Sequence, residues 1–293
     1  MDYKNIYIEF LKKWIKVEKP LTVVFDVSNG PVGMIIPDLF KDTNVNAILI
    51  NNEIDPDFKS HGPNPLLDGA SDHCKKTILE NNADLGVMFD ADGDRAFFLD
   101  DTGEMIPACF VAGLLHREFT PPYIMDELVY QSVRLLDIIP ENDLLPSRIG
   151  AFFIKESLRN HNADFGAEYS GHYYFKDFFN SDSGMFTAIV FLNSFSKINT
   201  KLSEWKQSFG EHEVITKEIK IKEGVNMQTI YDKLENVYGT VATRVEKRDG
   251  VTFVFPEYWV NVRSSNTEPI MRIIAGGKNN LMEKVAEIEG IIG

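Results

Sequence analysis

Two α/β domains followed by a small α+β domain form the fold class that these 293 residues predict. Three observations carry it. A β-branched run, a tight turn, a helical apolar pattern and a second apolar run follow one another near the N-terminus, which is the order of a β-α-β unit. The same alternation returns over residues 107–197. Beyond residue 201 the pattern changes to several strand-like runs with only two helical stretches, as in a sheet packed on helices. The expected divisions are 1–104, 105–200 and 201–293.

Element by element, residues 21–27 form the first strand, and Ser28-Asn29-Gly30-Pro31 ends it in a turn. A helical pattern runs on through Phe40, and residues 46–50 are the next strand. A helix over 72–81 precedes a strand over 83–89, an acidic loop over 90–95 and a strand over 96–99, with Asp101-Thr102-Gly103 turning into Met105 and Ile106. In the second unit a helix near Val111, a strand over 123–125 and helices over 129–136 and 151–159 lead to a polar stretch at 166–176 and an apolar helix over 184–195. In the third, residues 214–221 alternate apolar and polar, a helix covers 226–238, strands reach Ile274, and a helix over 281–292 closes the chain.

Composition narrows the function. Asp and Glu exceed Lys and Arg by enough to leave a formal charge of −14, which opposes the phosphate contacts that dominate nucleic-acid binding. Nucleic acid is therefore not an expected partner. Cys74 and Cys109 are the two cysteines and form no C-x-x-C pair, so they read as small buried residues in a reducing compartment. The N-terminal stretch is charged and amphipathic without a secretory apolar core, and no run is long enough for a membrane span. The expectation is a cytoplasmic protein with no membrane partner.

Three loops carry chemistry. In Phe89-Asp90-Ala91-Asp92-Gly93-Asp94-Arg95 alternate carboxylates in a tight turn can converge on one hard cation, Mg²⁺ being the natural choice. An EF-hand is excluded: its loop would need Gly where Arg95 stands, Glu where Asp101 stands, and helices where strands flank. The plainer reading is a solvated acidic turn, but carboxylates this close repel one another without a cation. Arg95 can neutralise them or reach a substrate phosphate. In Gly166-Ala167-Glu168-Tyr169-Ser170-Gly171-His172 a carboxylate, a hydroxyl and an imidazole suit a polyol, with a hairpin turn bearing a solvent-facing His172 as the alternative. In Arg263-Ser264-Ser265-Asn266-Thr267-Glu268-Pro269 a guanidinium, hydroxyls, an amide and backbone N–H groups can surround a phosphate, or the stretch is a polar connector. Arg272 either supports that charge or decorates a strand. Asn29-Gly30-Pro31-Val32-Gly33 does not match the dinucleotide fingerprint and reads as a strand-to-helix turn, and the Pro-rich loop Ser60-His61-Gly62-Pro63-Asn64-Pro65 reads as structural.

Taken in order and spacing, the three loops resemble those of the α-D-phosphohexomutase family, which includes phosphoglucomutases, phosphomannomutases and phosphoglucosamine mutases. Phe25-Asp26-Val27-Ser28-Asn29-Gly30, His61-Gly62-Pro63-Asn64-Pro65 and Ala83-Asp84-Leu85-Gly86 extend the likeness over nearly the whole chain. It implies the family's second, third and fourth domains: two Rossmann-like mixed α/β domains and a TBP-like α+β domain. It further implies that Asp90, Asp92 and Asp94 ligate Mg²⁺ and that Arg95 lies beside a phosphoserine donor. Glu168, Ser170 and His172 would hold sugar hydroxyls. Arg263, Ser265, Asn266 and Thr267, with Arg272 behind them, would grip the phosphate that is not transferred. The implied reaction interconverts hexose 1-phosphate and 6-phosphate through a bisphosphate.

Two departures qualify this expectation. The family's first domain, with its phosphoserine in a Thr-Ala-Ser-His-Asn-Pro type motif, has no counterpart in these residues, and Ile149-Gly150-Ala151 stands where the family often has Val-Gly-His. Ser60 precedes His61-Gly62-Pro63 and echoes the missing motif, but it lies in a loop where the family has no nucleophile. The leading expectation is a short phosphohexomutase that needs a phosphoserine domain from a separate chain. The alternatives are a non-catalytic phosphosugar-binding or regulatory protein, and a Mg²⁺-dependent sugar phosphate hydrolase.

Overall fold

In the computed structural model, residues 2–221, 226–265, 269–278 and 280–292 are described. Helix α1 (Tyr3–Lys12) leads into β1 (Leu21–Asp26), α2 (Ile36–Phe40), β2 (Val45–Ile50), α3 (Asp72–Asn81), β3 (Leu85–Phe89) and β4 (Ala96–Leu99). Then follow α4 (Ala108–Leu115), β5 (Tyr123–Asp126), α5 (Glu127–Leu135), β6 (Leu144–Ser147), α6 (Ala151–His161), β7 (Phe165–Ala167), β8 (Tyr173–Phe175), β9 (Ser181–Asp182) and α7 (Gly184–Ser196). The remainder comprises α8 (Leu202–Gln207), β10 (Glu213–Lys220), α9 (Met227–Tyr238), β11 (Arg244–Glu246), β12 (Val251–Val254), β13 (Tyr258–Ser264), β14 (Ile270–Gly277) and α10 (Leu281–Ile292).

The first two sheets repeat one topology. In the order β2-β1-β3-β4, the first three strands are parallel and β4 turns back on β3. In the order β6-β5-β7-β8-β9, three parallel strands are again followed by an antiparallel return, here extended by β9. The third sheet, β10-β14-β13-β12-β11, is antiparallel throughout. The expected class, α/β twice and then α+β, is the observed one.

Parallel sheets bury both faces, and their strands read as continuous apolar runs. β3 and β4 are buried at every position. Between the first two sheets runs a single core that includes Phe25, Phe89, Phe98, Phe165 and Phe175. Helix α7, all of whose residues are buried, joins it, and Phe191 stacks on Phe98 at 3.9 Å. The third sheet packs on α9 and α10 through a core of its own, with Leu234, Phe253, Val262, Ile273 and Val285.

The amphipathic N-terminal stretch is the helix α1, capped by the Asp2 side chain on Asn5 N–H. β6, β9 and α8 escaped the sequence reading: β9 has two residues and α8 six, too short for a periodic signal, and β6 carries Pro146, which demotes a run in any sequence-based assignment and is tolerated because β6 is an edge strand. Met105, beyond the turn at Asp101-Thr102-Gly103, makes an isolated bridge to Leu99.

Candidate functional site

The acidic loop spans residues 90–95 between β3 and β4 and is built inward from Asp90, which is 3% exposed. Asp90 accepts from the Arg95 backbone N–H (3.1 Å) and from Arg95 Nε (2.6 Å), which folds the loop back on itself. Gly93 supplies the left-handed turn at φ 76°. Oxygens of Asp90, Asp92 and Asp94 lie within 4.8 Å of one another. Burial, then repulsion from Asp90, Asp92 and Asp182, pushes Asp94 up to about 6 against the pull of His172.

Three other segments hold this loop, two of them read from sequence as merely structural. A Cβ on Gly30 would stand 2.3 Å from the Ala91 carbonyl oxygen, so the turn after β1 requires its glycine for close approach. Ser28 Oγ donates to the Phe89 carbonyl at 2.5 Å, and Ala91 N–H donates to the Pro63 carbonyl at 3.1 Å. From the other side, Gly184 N–H at the start of α7 donates to the Gly93 carbonyl at 3.0 Å. His61 joins the support from behind: its Nε2 lies 3.1 Å from the buried carboxylate of Asp26, which also receives Asn51 Nδ2 at 2.8 Å.

The second loop is the turn of the β7–β8 hairpin. Glu168 N–H donates to the His172 carbonyl (2.9 Å), and Gly171 turns at φ 92° against Phe97, leaving no room for a Cβ there. Ala96 N–H, directly after Arg95, donates to the Gly171 carbonyl at 3.2 Å, so the two loops are tied edge to edge. Glu168, 7% exposed, accepts from Tyr174 Oη at 2.8 Å. Ser170 Oγ is buried without a hydrogen-bond partner among the described residues. His172 Nδ1 lies 2.9 Å from Asp182 and 3.8 Å from Asp94. Burial opposes charging of His172, but the Asp182, Asp94 and Glu168 carboxylates outweigh it and raise its pKa.

Of the expected residues, the structure therefore brings together Asp90, Asp92, Asp94, Arg95, Glu168 and His172, with Ser170 in the same hairpin. The third loop stands at the end of β13. Ser264 N–H donates to Tyr231 Oη (3.2 Å) and Ser265 N–H to the Ile270 carbonyl (2.9 Å). Asn266 and Thr267 lie outside the described residues. Arg263 Nε is buried without a hydrogen-bond partner among the described residues. Arg272, its cross-strand neighbour, is held by Glu218 at 2.8 Å.

Sequence reasoning missed several contributors. Asp182, on β9 opposite Tyr174, meets both His172 and Lys155 of α6. Asp126 is fully buried; its carboxylate caps α5 through Val129 N–H and accepts Tyr169 N–H, each at 2.8 Å, so it anchors the β7–β8 hairpin to β5. Burial lifts Asp126 to about 7 against those two N–H donors, with Glu168 and Glu127 adding to the rise. Glu127 receives Arg248 Nε at 2.8 Å and Asp249 accepts from Ile149 N–H at 3.2 Å, which ties the third sheet to the segment leading into Ala151. A strand-ending Asp before a helix was a legible N-cap signal for Asp126. Asp182 and Lys155 had none, because their meeting depends on strand pairing.

Comparison with known proteins agrees with this arrangement. Residues 5–103 match the family model described as phosphoglucomutase/phosphomannomutase, alpha/beta/alpha domain II, and residues 137–211 match domain III of the same family. Phosphomannomutases of Escherichia coli strain K12 and Salmonella typhimurium strain LT2 are 29% and 30% identical to this chain, each over 93% of it and 62% of their own length. The chain thus spans less than two thirds of these relatives. A solved phosphoglucomutase/phosphomannomutase family protein from Burkholderia thailandensis superposes with a TM-score of 0.82 at 24% identity, covering 99% of this chain and 63% of its own. No helix among the described residues is long and apolar enough to cross a membrane. With two domain models of one family covering more than half of its length, the chain belongs to the phosphoglucomutase/phosphomannomutase group of α-D-phosphohexomutases.

Proposed function

We propose that the chain binds a hexose phosphate across the acidic loop and the β7–β8 hairpin and serves phosphohexose mutase chemistry, interconverting hexose 1-phosphate and 6-phosphate. The observation that carries this reading is the approach of His172 to within 3.8 Å of Asp94, which puts a cation-type loop and a polyol-type loop in one place. The relatives named phosphomannomutase support it.

A divalent cation fits Asp90, Asp92 and Asp94, whose oxygens cluster within 4.8 Å as an all-oxygen donor set; Mg²⁺ is our assignment. Bound there, it would supply positive charge against a transferring phosphoryl group. Arg95 adds a guanidinium beside that position. Glu168 and His172 receive and donate hydrogen bonds to sugar hydroxyls, and the unpartnered Ser170 Oγ gains a partner. Arg263, Ser265, Asn266 and Thr267 take the phosphate that stays in place; Arg272, engaged by Glu218, supports them electrostatically. In this reading a phosphoryl group on a seryl donor passes to the free hydroxyl of the sugar monophosphate. The resulting bisphosphate turns round and returns its other phosphoryl group to the donor. These 293 residues hold no Thr-Ala-Ser-His-Asn-Pro type motif, so the donor is a phosphoserine domain outside them or the bisphosphate itself.

Ala151 favours a second reading, phosphosugar binding without turnover. It begins α6 one turn before Lys155, on the helix face that meets Asp182, and offers no imidazole there. A coupled mutase assay with Mg²⁺, glucose 1-phosphate or mannose 1-phosphate and a trace of the bisphosphate separates the two, with calorimetric titration of the same sugars alongside. Turnover abolished in Asp92→Ala supports the mutase. Binding without turnover, even after a phosphoserine domain is added in trans, leaves the binding protein. No binding of either sugar rejects both.

A further inference from the structure

The strand register dictates which side chains can meet around His172. Tyr173 pairs with Ala167, so Glu168 and His172 close the hairpin, and residues 172 and 174 project to the same sheet face by strand alternation. On the next strand Asp182 stands directly across from Tyr174. Tyr174 belongs to the cluster with Ile154 and Leu158, so this is the face covered by α6. Lys155, next to Ile154 on that helix, reaches down to it.

The contacts form a closed set. One Asp182 oxygen lies 2.8 Å from Lys155 Nζ and the other 2.9 Å from His172 Nδ1, an ion-pair approach in which the ring N–H is not yet aligned for a hydrogen bond. The Tyr174 ring backs both partners: Lys155 Nζ is 5.5 Å from its centroid, and the His172 ring lies 6.2 Å away at 27°. The Tyr174 hydroxyl meanwhile donates to Glu168. The Asp182 side chain is 11% exposed, so the carboxylate needs its partners, and against burial His172 and then Lys155 hold it ionised and its pKa below the ordinary range.

His172 has two carboxylates to choose from. Asp94, at 3.8 Å, belongs to the acidic loop, whereas Asp182 is nearer by almost an ångström and is held from behind by a lysine. A carboxylate bound to one ring nitrogen sets the tautomer and aims the other nitrogen. We propose that Lys155 and Asp182 are positioning residues that commit His172 Nδ1 to Asp182, which leaves Nε2 as the atom presented to a bound hexose phosphate and leaves the Asp94 oxygens to a cation. This role rests on the reading given under Proposed function. Neither residue touches the sugar. Both act through the imidazole, and Lys155 acts at one further remove.

The test has one readout that needs no sugar. In the full chain with ¹⁵N-labelled histidines, free of metal and at a pH above the His172 transition followed in the same spectra, long-range proton–nitrogen spectra report which ring nitrogen carries the proton, with His172→Gln supplying the assignment. The expected wild-type signature is protonated Nδ1. Asp182→Asn should shift His172 toward a mixed or Nε2-protonated tautomer. Lys155→Met should do so partially and weaken calorimetric binding of glucose 1-phosphate with Mg²⁺ roughly tenfold, the scale typical of lost outer-shell support. Lys155→Arg should restore both. An Nδ1-protonated His172 unchanged in Asp182→Asn overturns the proposal, as does a wild-type ring already protonated on Nε2. If Asp182→Asn fails to fold, Lys155→Met against Lys155→Arg decides alone, and equal spectra for the two overturn it. Wild-type protein that binds no glucose 1-phosphate refutes the functional reading, while the tautomer result still decides the positioning role.

Discussion

Replacing Gly30 by alanine tests whether the acidic loop is held by the turn after β1. The new methyl group would lie 2.3 Å from the Ala91 carbonyl oxygen and 3.2 Å from its carbon, both backbone atoms that no side-chain rotation can move away. Ordinary contact begins near 3.4 Å, so the loop must retreat by about 1 Å. Ala91 lies between Asp90 and Asp92, and a shift of that size is a sizeable part of the 4.8 Å within which the three carboxylates gather. Overpacking of this kind costs about 1–3 kcal/mol. Calorimetric titration with Mn²⁺ should show at least a tenfold loss of affinity, and scanning calorimetry a midpoint lower by a few degrees. Gly290→Ala is the control, because a Cβ there meets nothing within 4 Å; it should leave Mn²⁺ binding unchanged. Wild-type Mn²⁺ affinity in Gly30→Ala would refute the coupling between the turn and the acidic loop, and an unchanged midpoint as well would refute the steric argument itself.

Two further predictions concern how the third sheet is attached. Arg248→Met strips the fully buried Glu127 of its cationic partner, leaving Gln131 Nε2 at 2.9 Å, and should cost about 3–5 kcal/mol in urea unfolding; adding Glu127→Gln should recover part of the loss, and a single-variant cost below about 1 kcal/mol would show the pair to be dispensable. His212, between α8 and β10, is pushed down to about 4 by burial and by Lys278. The unfolded chain therefore takes up this proton first, and the stability that neutral His212 contributes is complete above about pH 6.5 and lost as pH falls toward 4, to the extent of roughly 3 kcal/mol. His212→Gln should flatten the thermal midpoint across that window relative to wild type, and parallel profiles would reject the assignment.

Most of the strands and helices were legible because their patterns are local. The alternation at 214–221, the turn at Ser28-Asn29-Gly30-Pro31 and the caps of α1, α5 and α9 involve residues a few positions apart. Each of the three chemical loops was legible for the same reason, since Asp90, Asp92 and Asp94 are neighbours in sequence as well as in space. Pro146 hid β6, because a run containing proline looks like an interruption until the strand is known to lie at a sheet edge.

Residue order by itself determined the fold class, the acidic composition, the family resemblance and the candidate groups that we propose hold a cation, a polyol and a phosphate. Only tertiary structure decided which of them meet. Ala96 N–H bonds the Gly171 carbonyl and sets the first two loops side by side. The β8–β9 register brings Asp182, ten residues beyond His172, back to it, and α6 lowers Lys155 onto the pair. The Gly30 turn and the Pro63 loop looked structural because neither matches a ligand-binding motif, yet they fix the acidic loop through the close approach of Gly30 to the Ala91 carbonyl, the Ser28 hydroxyl and the Pro63 carbonyl. Periodicity and motif spacing report side chains along one segment. Convergence is set by strand pairing and by close backbone approach between segments far apart in the chain, and neither leaves a local mark in the order of residues.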